Sequence, residues 1–321
     1  MNMCYNKNVT REVTPHTQHS MTAYLEVTIM KNQTFGIEIE TTGLSRKTVA
    51  EIIAKHYGTD AYYIGTYYDT YGAKTTDGRE WKCMKDGSII NTGSGVCEIV
   101  SPILTYSDME DLQQIVRDVR EAGAKSSPRY KCGIHIHIGA QNHTVQSLKN
   151  LVNFMSSYQD IIYKAVKVDP YRESYCKKLS SVLIDKFNER GLDSIAKCET
   201  AWYGKGNEEY QKSQHYSMTR YYGLNLHSVF TKGTVEFRLF NGTLHAGEIR
   251  SYVVLCLAMS QFALDKKSVR RSKKNNLNDK YAMYNMLWSI GVVGDEFKNC
   301  REHLMKHLSG SLKTTERRVN G

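Results

Sequence analysis

A chain of 321 residues, 40% hydrophobic and 24% charged, has ordinary globular composition and enough length to bury a large core. Four prolines, no low-complexity run and no repeat of fixed period exclude a disordered, collagen-like or solenoid chain. A formal charge of +10 suits an anionic partner, whether nucleotide, polycarboxylate or nucleic acid.

The cysteines add exclusions. Cys4, Cys83, Cys97, Cys132, Cys176, Cys198, Cys256 and Cys300 form no Cys-x-x-Cys pair, so a thiolate zinc site is not expected. Several sit in apolar runs, as small buried hydrophobes do. A reducing cytoplasm is the expected compartment. The N-terminus lacks an apolar signal core. The longest apolar helix candidate, 249–264, contains Arg250 and is short of a membrane span, so no membrane contact is expected.

Residues 1–33 are polar and weakly patterned, an N-terminal extension with a flexible arm at 2–20 and a weak strand signal at 24–30. Residues 35–40 alternate as a strand does. Ser45 then caps an expected helix with Val49, Ile52, Ile53 and His56 at helical spacing, and Gly58 stops it. Residues 62–68 are aromatic and β-prone. Residues 81–90 are expected to form a strand and a turn around Asp86-Gly87-Ser88, and 96–100 a strand ended by Pro102. Ser107-Asp108-Met109-Glu110 has the pattern of a capping box, and Met109, Leu112, Ile115, Val116 and Val119 form one apolar face after it.

A strand at 133–138 and a long helix at 144–168 follow, then short helical pieces among polar loops over 170–219. Residues 222–230 and 234–240 are expected to pair as a hairpin about Thr231-Lys232-Gly233. A helix at 247–264 leads into a basic linker, Lys266 to Lys274, and a helix near 281–304. This linker, with Arg317 and Arg318, is expected to be a solvated charge run rather than a nucleic-acid contact, since no nucleic-acid motif accompanies it. Hairpins and single helices without a βαβ series point to an α+β fold. The sheet should be mainly antiparallel, with helices on one face and the other face open. Three segments result: an extension at 1–33, a catalytic domain at 34–265, and a basic linker with C-terminal helical segment at 266–321.

Three strands carry polar pairs at a spacing of two: Glu38/Glu40, His135/His137 and Glu236/Arg238. Alternate strand residues face opposite sides, so each pair shares one face. Two carboxylates roughly 6–7 Å apart at Cα repel unless a cation lies between them or one is protonated. Hard divalent ions suit such oxygen ligands. Solvation or lysine pairing would also account for Glu38/Glu40 alone. Glu98, inside an apolar strand, needs a metal or an arginine as partner. His-x-His builds zinc and iron sites, yet an imidazole also completes a carboxylate-rich magnesium or manganese shell. Arg238 does not ligate metal; its planar fork grips carboxylate or phosphate. Arg220 and Asn225 stand nearby in sequence.

No Walker-type glycine loop and no Gly-x-Ser-x-Gly elbow is present. Three functions remain open on residues alone. One is metal- and arginine-assisted phosphoryl chemistry. A second is a zinc or iron hydrolase or oxygenase using His135 and His137. A third is a non-catalytic nucleic-acid-binding module using the tyrosines of 57–71.

The ordered set of motifs resembles the amidoligase family, within the glutamine synthetase and glutamate–cysteine ligase superfamily. It comprises Phe35-Gly36-Ile37-Glu38-Ile39-Glu40, then Trp81 with Asp86-Gly87-Ser88, then Glu98 with Val100-Ser101-Pro102. Gly133-Ile134-His135-Ile136-His137 follows, and Arg220 to Leu244 completes it with Glu236-Phe237-Arg238. Arg172 with Tyr175-Cys176 is similar to a further family element. The likeness covers roughly 34–265.

It implies a glutamine synthetase catalytic-domain-like fold and a carboxylate–amine ligase that uses ATP and two Mg²⁺ or Mn²⁺ ions. The acid and the amine would be small molecules or peptides. The resemblance implies Glu38, Glu40 and Glu98 as ligands of one ion. It implies His135 and Glu236 as ligands of the ion bridging the ATP phosphates. Arg238 is similar to the arginine on the transferring phosphoryl group, with Arg220 assisting. His137 would contact the carboxylate substrate and Asp86 would receive the amine. The separate N-terminal domain of glutamine synthetase has no counterpart here, so ring assembly is not implied.

Overall fold

The computed structural model describes residues 30–214, 216–272 and 278–312. Most of the expected N-terminal extension, Lys273 and Lys274 of the basic linker, and Arg317 and Arg318 lie outside the described residues.

The centre of the fold is β1 (Phe35–Thr42). Its alternation buries Ile37 and Ile39 on one face and turns Glu38 and Glu40 to the other. It pairs antiparallel with β5 (Val96–Val100) on one side and β6 (Gly133–Gly139) on the other. Beyond β5 lie β4 (Glu80–Met84), β3 (Thr70–Lys74) and β2 (Ala61–Gly65). Beyond β6 lie β8 (Thr234–Asn241) and the two-residue β7 (Leu224–Asn225). The eight strands run β2-β3-β4-β5-β1-β6-β8-β7, and every pairing is antiparallel. The expected α+β class with an antiparallel sheet is what the chain forms.

Helices cover the apolar face. The helix α1 (Arg46–Tyr57) packs on β3, β4 and β5. Ser45 Oγ accepts the Thr48 N–H, and Gly58 closes the helix at φ 67°, a conformation that suits glycine. Next comes α2 (Met109–Glu121), whose five expected apolar residues are all buried. Its capping box lies two residues earlier than the sequence suggested. Thr105 and Asp108 form it, with a 3₁₀ turn at Tyr106–Asp108. The reason is Arg79, which donates to both Asp108 oxygens and fixes that side chain facing back toward Thr105.

The long helix α3 (Val145–Ala165) is capped by Thr144. Short helices α4 (Ser181–Phe187), α5 (Ile195–Tyr203) and α6 (Glu208–Ser213) follow. The expected hairpin at 222–240 is not formed. Only Leu224–Asn225 pairs with β8, and α7 (His227–Lys232) fills the rest up to Gly233. Asn225 Oδ1 accepts the His227 N–H, which turns the chain into that helix. The aromatic segment 62–68 also divides. Thr66 and Asp69 adopt positive φ and reverse the chain between β2 and β3.

The buried helix α8 (Ala246–Asp265) lies against β6, α2 and α3. The expected helix at 281–304 is two, α9 (Asp279–Ser289) and α10 (Lys298–Met305), separated by Gly291 and Gly294 at positive φ. Met283, Met286, Leu287 and Leu304 share one core with the sheet. Asn150 and Asn153 on α3 donate to the carbonyls of Lys266 and Val269, tying down the start of the basic linker. No helix among the described residues is long and apolar enough to cross a membrane. The seven described cysteines are free and buried.

Candidate active site

Register assembles the site. Across β1 and its neighbours, Glu40 stands opposite Glu98 and Glu38 opposite His135; across β6 and β8, His137 stands opposite Glu236. Directly opposed residues share a face. Carboxylates and imidazoles from four strands therefore meet on the side away from the helices. One extra residue is accommodated in β8. Phe237 pairs with Ile136 but Phe240 pairs with Ile134, a bulge at Arg238-Leu239. Bulges re-aim side chains beside sites. Here the bulge lets the Arg238 N–H donate to Gly223 O at 2.9 Å while its carbonyl accepts from Arg172 at 3.0 Å.

Glu38 is the hub. Its carboxylate lies 2.8 Å from His135 Nδ1, 3.3 Å from His137 Nε2 and 3.6 Å from Lys232 Nζ. Burial alone would raise its pKa, but the two imidazoles hold it well below the usual carboxylate value. Glu236 is 2% exposed. It accepts from Asn225 Nδ2 at 2.7 Å and Ser228 Oγ at 2.8 Å, and its other oxygen pairs with Arg238. Burial is again outweighed, chiefly by the Arg238 guanidinium, so Glu236 stays ionised.

Glu40 and Glu98 behave in the opposite way. Burial pushes Glu40 up to about 7; Arg172 opposes the shift and Asp86 adds to it, while the Gly133 N–H donates to its carboxylate. Burial, then the charges of Glu38, Glu40 and Asp86, drive Glu98 well above its ordinary value. Burial and the nearby Arg238 bring His135 down to about 4, so its ring is neutral at pH 7.

These residues fit divalent cations. Three groups place one ligand atom from each member within 4.8 Å of the others: Glu38/His137/Glu236, Glu38/Glu98/His135 and Glu40/Asp86/Glu98. His137 Nε2 is buried and, although close to Glu38, makes no hydrogen bond. An orphaned imidazole nitrogen among carboxylates has the chemistry of a ligand. A cation would also supply the counter-charge that Glu40 and Glu98 lack.

All nine residues singled out in the sequence occupy this region. Glu38, Glu40, Asp86, Glu98, His135, Arg220 and Arg238 line a cavity of about 350 Å³. His137 and Glu38 line a second cavity of about 320 Å³ with Gly36, Ser101 and Lys232. Glu236 stands between His137 and Arg238. The groupings divide the residues differently from the resemblance: Glu236 falls with His137, His135 falls with Glu98, and Asp86 joins Glu40.

Sequence reasoning flagged Arg172 as a family element without placing it. It is 5% exposed, lines the larger cavity, and donates to the Arg238 carbonyl. Its guanidinium occupies the space that a Cβ on Gly133 would fill. That glycine, directly before Ile134-His135, was the available signal. Tyr175, named with Arg172 in that element, lines the same cavity, as do Lys131, Tyr171 and Tyr221, which were not singled out.

The solved structure of a bifunctional glutathione synthetase from Pasteurella multocida aligns with 92% of this chain and 49% of that one, at 12% identity and a TM-score of 0.39. The chain thus spans about half the length of that structure. No curated protein matches the sequence. The family model described as "Putative amidoligase enzyme" matches residues 31–260. That span is more than half of the chain and contains all eight strands and every residue of the site, and the chain belongs to this amidoligase family.

Proposed function

We propose that the protein is an ATP-dependent carboxylate–amine ligase acting through an acyl phosphate. One observation carries the reading: Arg238, a group that grips phosphate, is buried within a face of cation-ready carboxylates and imidazoles. Phosphoryl transfer needs positioning and charge neutralisation rather than a protein nucleophile. Bound divalent ions would polarise the phosphates and neutralise developing charge.

In this reading Glu40, Asp86 and Glu98 would hold one divalent ion and Glu38, His137 and Glu236 a second, which would supply positive charge to the phosphates. His135, neutral and bonded to Glu38, joins Glu38 to Glu98. Arg238 and Arg220 bind the transferring phosphoryl group. A carboxylate oxygen of the acid attacks the γ-phosphorus and ADP leaves. The amine then attacks the acyl carbon, phosphate leaves, and the amine proton passes to solvent or a nearby carboxylate. The resemblance implies that Asp86 receives the amine; its grouping with Glu40 and Glu98 favours an ion ligand.

A zinc or iron site built on His135 and His137 together is disfavoured, because no ligand grouping holds both histidines. The test is a screen of amino acids and amines for stimulated ADP release with Mg²⁺. Release that requires an acid and an amine together supports the ligase. ATP binding undiminished in the double variant Glu38→Ala/Arg238→Ala would overturn it.

A further inference from the structure

Tyrosines form one wall of the larger cavity. Tyr171 and Tyr175 are each 45% exposed, and Tyr221 lies beside them on the same cavity. Their rings touch in series, with centroids 6.1 Å apart for Tyr171–Tyr175 and 5.8 Å for Tyr175–Tyr221. Cations end the series. Lys131 Nζ lies 5.3 Å from the Tyr171 centroid, and the Arg238 guanidinium 6.0 Å from that of Tyr221. The ladder thus runs from the cavity rim to the arginine assigned to the phosphoryl group.

The wall is built rigidly. The Tyr163 hydroxyl donates to Cys176 O at 2.6 Å, next to Tyr175. The Lys177 N–H donates to Tyr221 O at 2.9 Å, and the Gly223 N–H returns to Lys177 O at 2.8 Å. The Arg238 N–H then bonds Gly223 O, which joins both tyrosine segments to β8. A ring platform fixed in this way loses little entropy when a ligand stacks on it.

We propose that this ladder selects the acid. The substrate is a small carboxylic acid whose body is an aromatic ring, stacked on Tyr175 and Tyr171 with its carboxylate at the Arg238 end. The proposal rests on the ligase reading for the step performed, but the wall's preference is measurable without turnover. Offset or edge-to-face ring pairs favour an aromatic over an aliphatic body of equal size. Two such contacts correspond to a preference of about ten-fold.

The experiment compares L-phenylalanine, L-3-cyclohexylalanine and L-glutamate, with hydroxylamine as the amine and ATP–Mg²⁺ present. Hydroxamate formation gives KM and kcat for the wild type, Tyr175→Ala and Tyr175→Phe. The expected result is a KM for phenylalanine about ten-fold below that for cyclohexylalanine. Tyr175→Ala should remove this gap and Tyr175→Phe should keep it. Equal KM values, a lower KM for glutamate, or a gap untouched by Tyr175→Ala overturns the proposal. If no acid yields hydroxamate, the ligase reading is what fails. Calorimetric binding of the same acids without ATP then decides the wall alone: a gap lost in Tyr175→Ala supports it, and no gap overturns it.

Discussion

Glu38 and His135 are cross-strand partners whose side chains meet at 2.8 Å, and the same carboxylate lies 3.3 Å from His137. One glutamate therefore belongs to two of the three potential cation groups. Glu38→Ala is expected to weaken Mn²⁺ binding by more than about 100-fold, beyond the loss typical of an outer-shell change. Calorimetric titration of Mn²⁺ checks this. Affinity within a few-fold of wild type would place the ions elsewhere.

Arg238 and Glu236 separate stability from turnover. Glu236 is buried and ionised, so removing its guanidinium partner leaves a charge whose remaining hydrogen bonds come from Asn225 and Ser228. Arg238→Ala should destabilise the fold by about 3 kcal/mol in urea unfolding, at the low end for a broken buried pair. Arg238→Lys keeps the charge but loses the planar fork. It should fold with a smaller penalty and still lose about 100-fold in kcat. Full activity in Arg238→Lys would remove the fork from the mechanism.

Gly133 opens β6, and its missing Cβ is what admits the Arg172 guanidinium. Gly133→Ala should displace Arg172 and cost about 1–3 kcal/mol, as overpacking of a filled site does. The double variant Gly133→Ala/Arg172→Ala should recover part of that stability, because the colliding group is gone. Denaturant unfolding of the single and double variants measures the coupling. Additive losses would show that the two residues do not compete for the space.

Alternation made the polar face legible, since Glu38, His135 and Glu236 each sit in an unbroken apolar/polar period. What alternation cannot supply is register. A spacing of two says which face a residue takes but not which residue on the next strand stands opposite, and the grouping of Glu236 with His137 depends on that pairing. The bulge at Arg238 was hidden for the same reason. The hairpin expected at 222–240 failed because Asn225 and Ser228 both bond buried Glu236, Asn225 from the two-residue β7 and Ser228 from the short helix that follows it. The tyrosine wall was invisible because Tyr175 and Tyr221 are distant in sequence and meet only through the Lys177 backbone bonds.

The shifted carboxyls set how the metal-free protein responds to pH. Glu40 keeps its proton to about 7 in the fold but only to about 4.5 as an ordinary side chain, and Glu98 shifts in the same direction. Between those values the folded state binds more protons than the unfolded chain, so stability falls as pH rises. This contribution is complete below the unfolded pKa and disappears as pH climbs through the folded one. His135, His143 and His227 act the other way, each lowered to about 4 from 6.5 by burial first of all. Their effect is finished above pH 6.5, which leaves the carboxyls to dominate from pH 6.5 to 8. In EDTA the Tm should therefore drop across that interval. Saturating Mn²⁺ should reverse the drop, because a cation binds the deprotonated carboxylates and stabilises only the fold. Glu40→Gln, which cannot ionise, should flatten the EDTA profile. A Tm that rises from pH 6.5 to 8 without metal would contradict the assignment of protons to this pair.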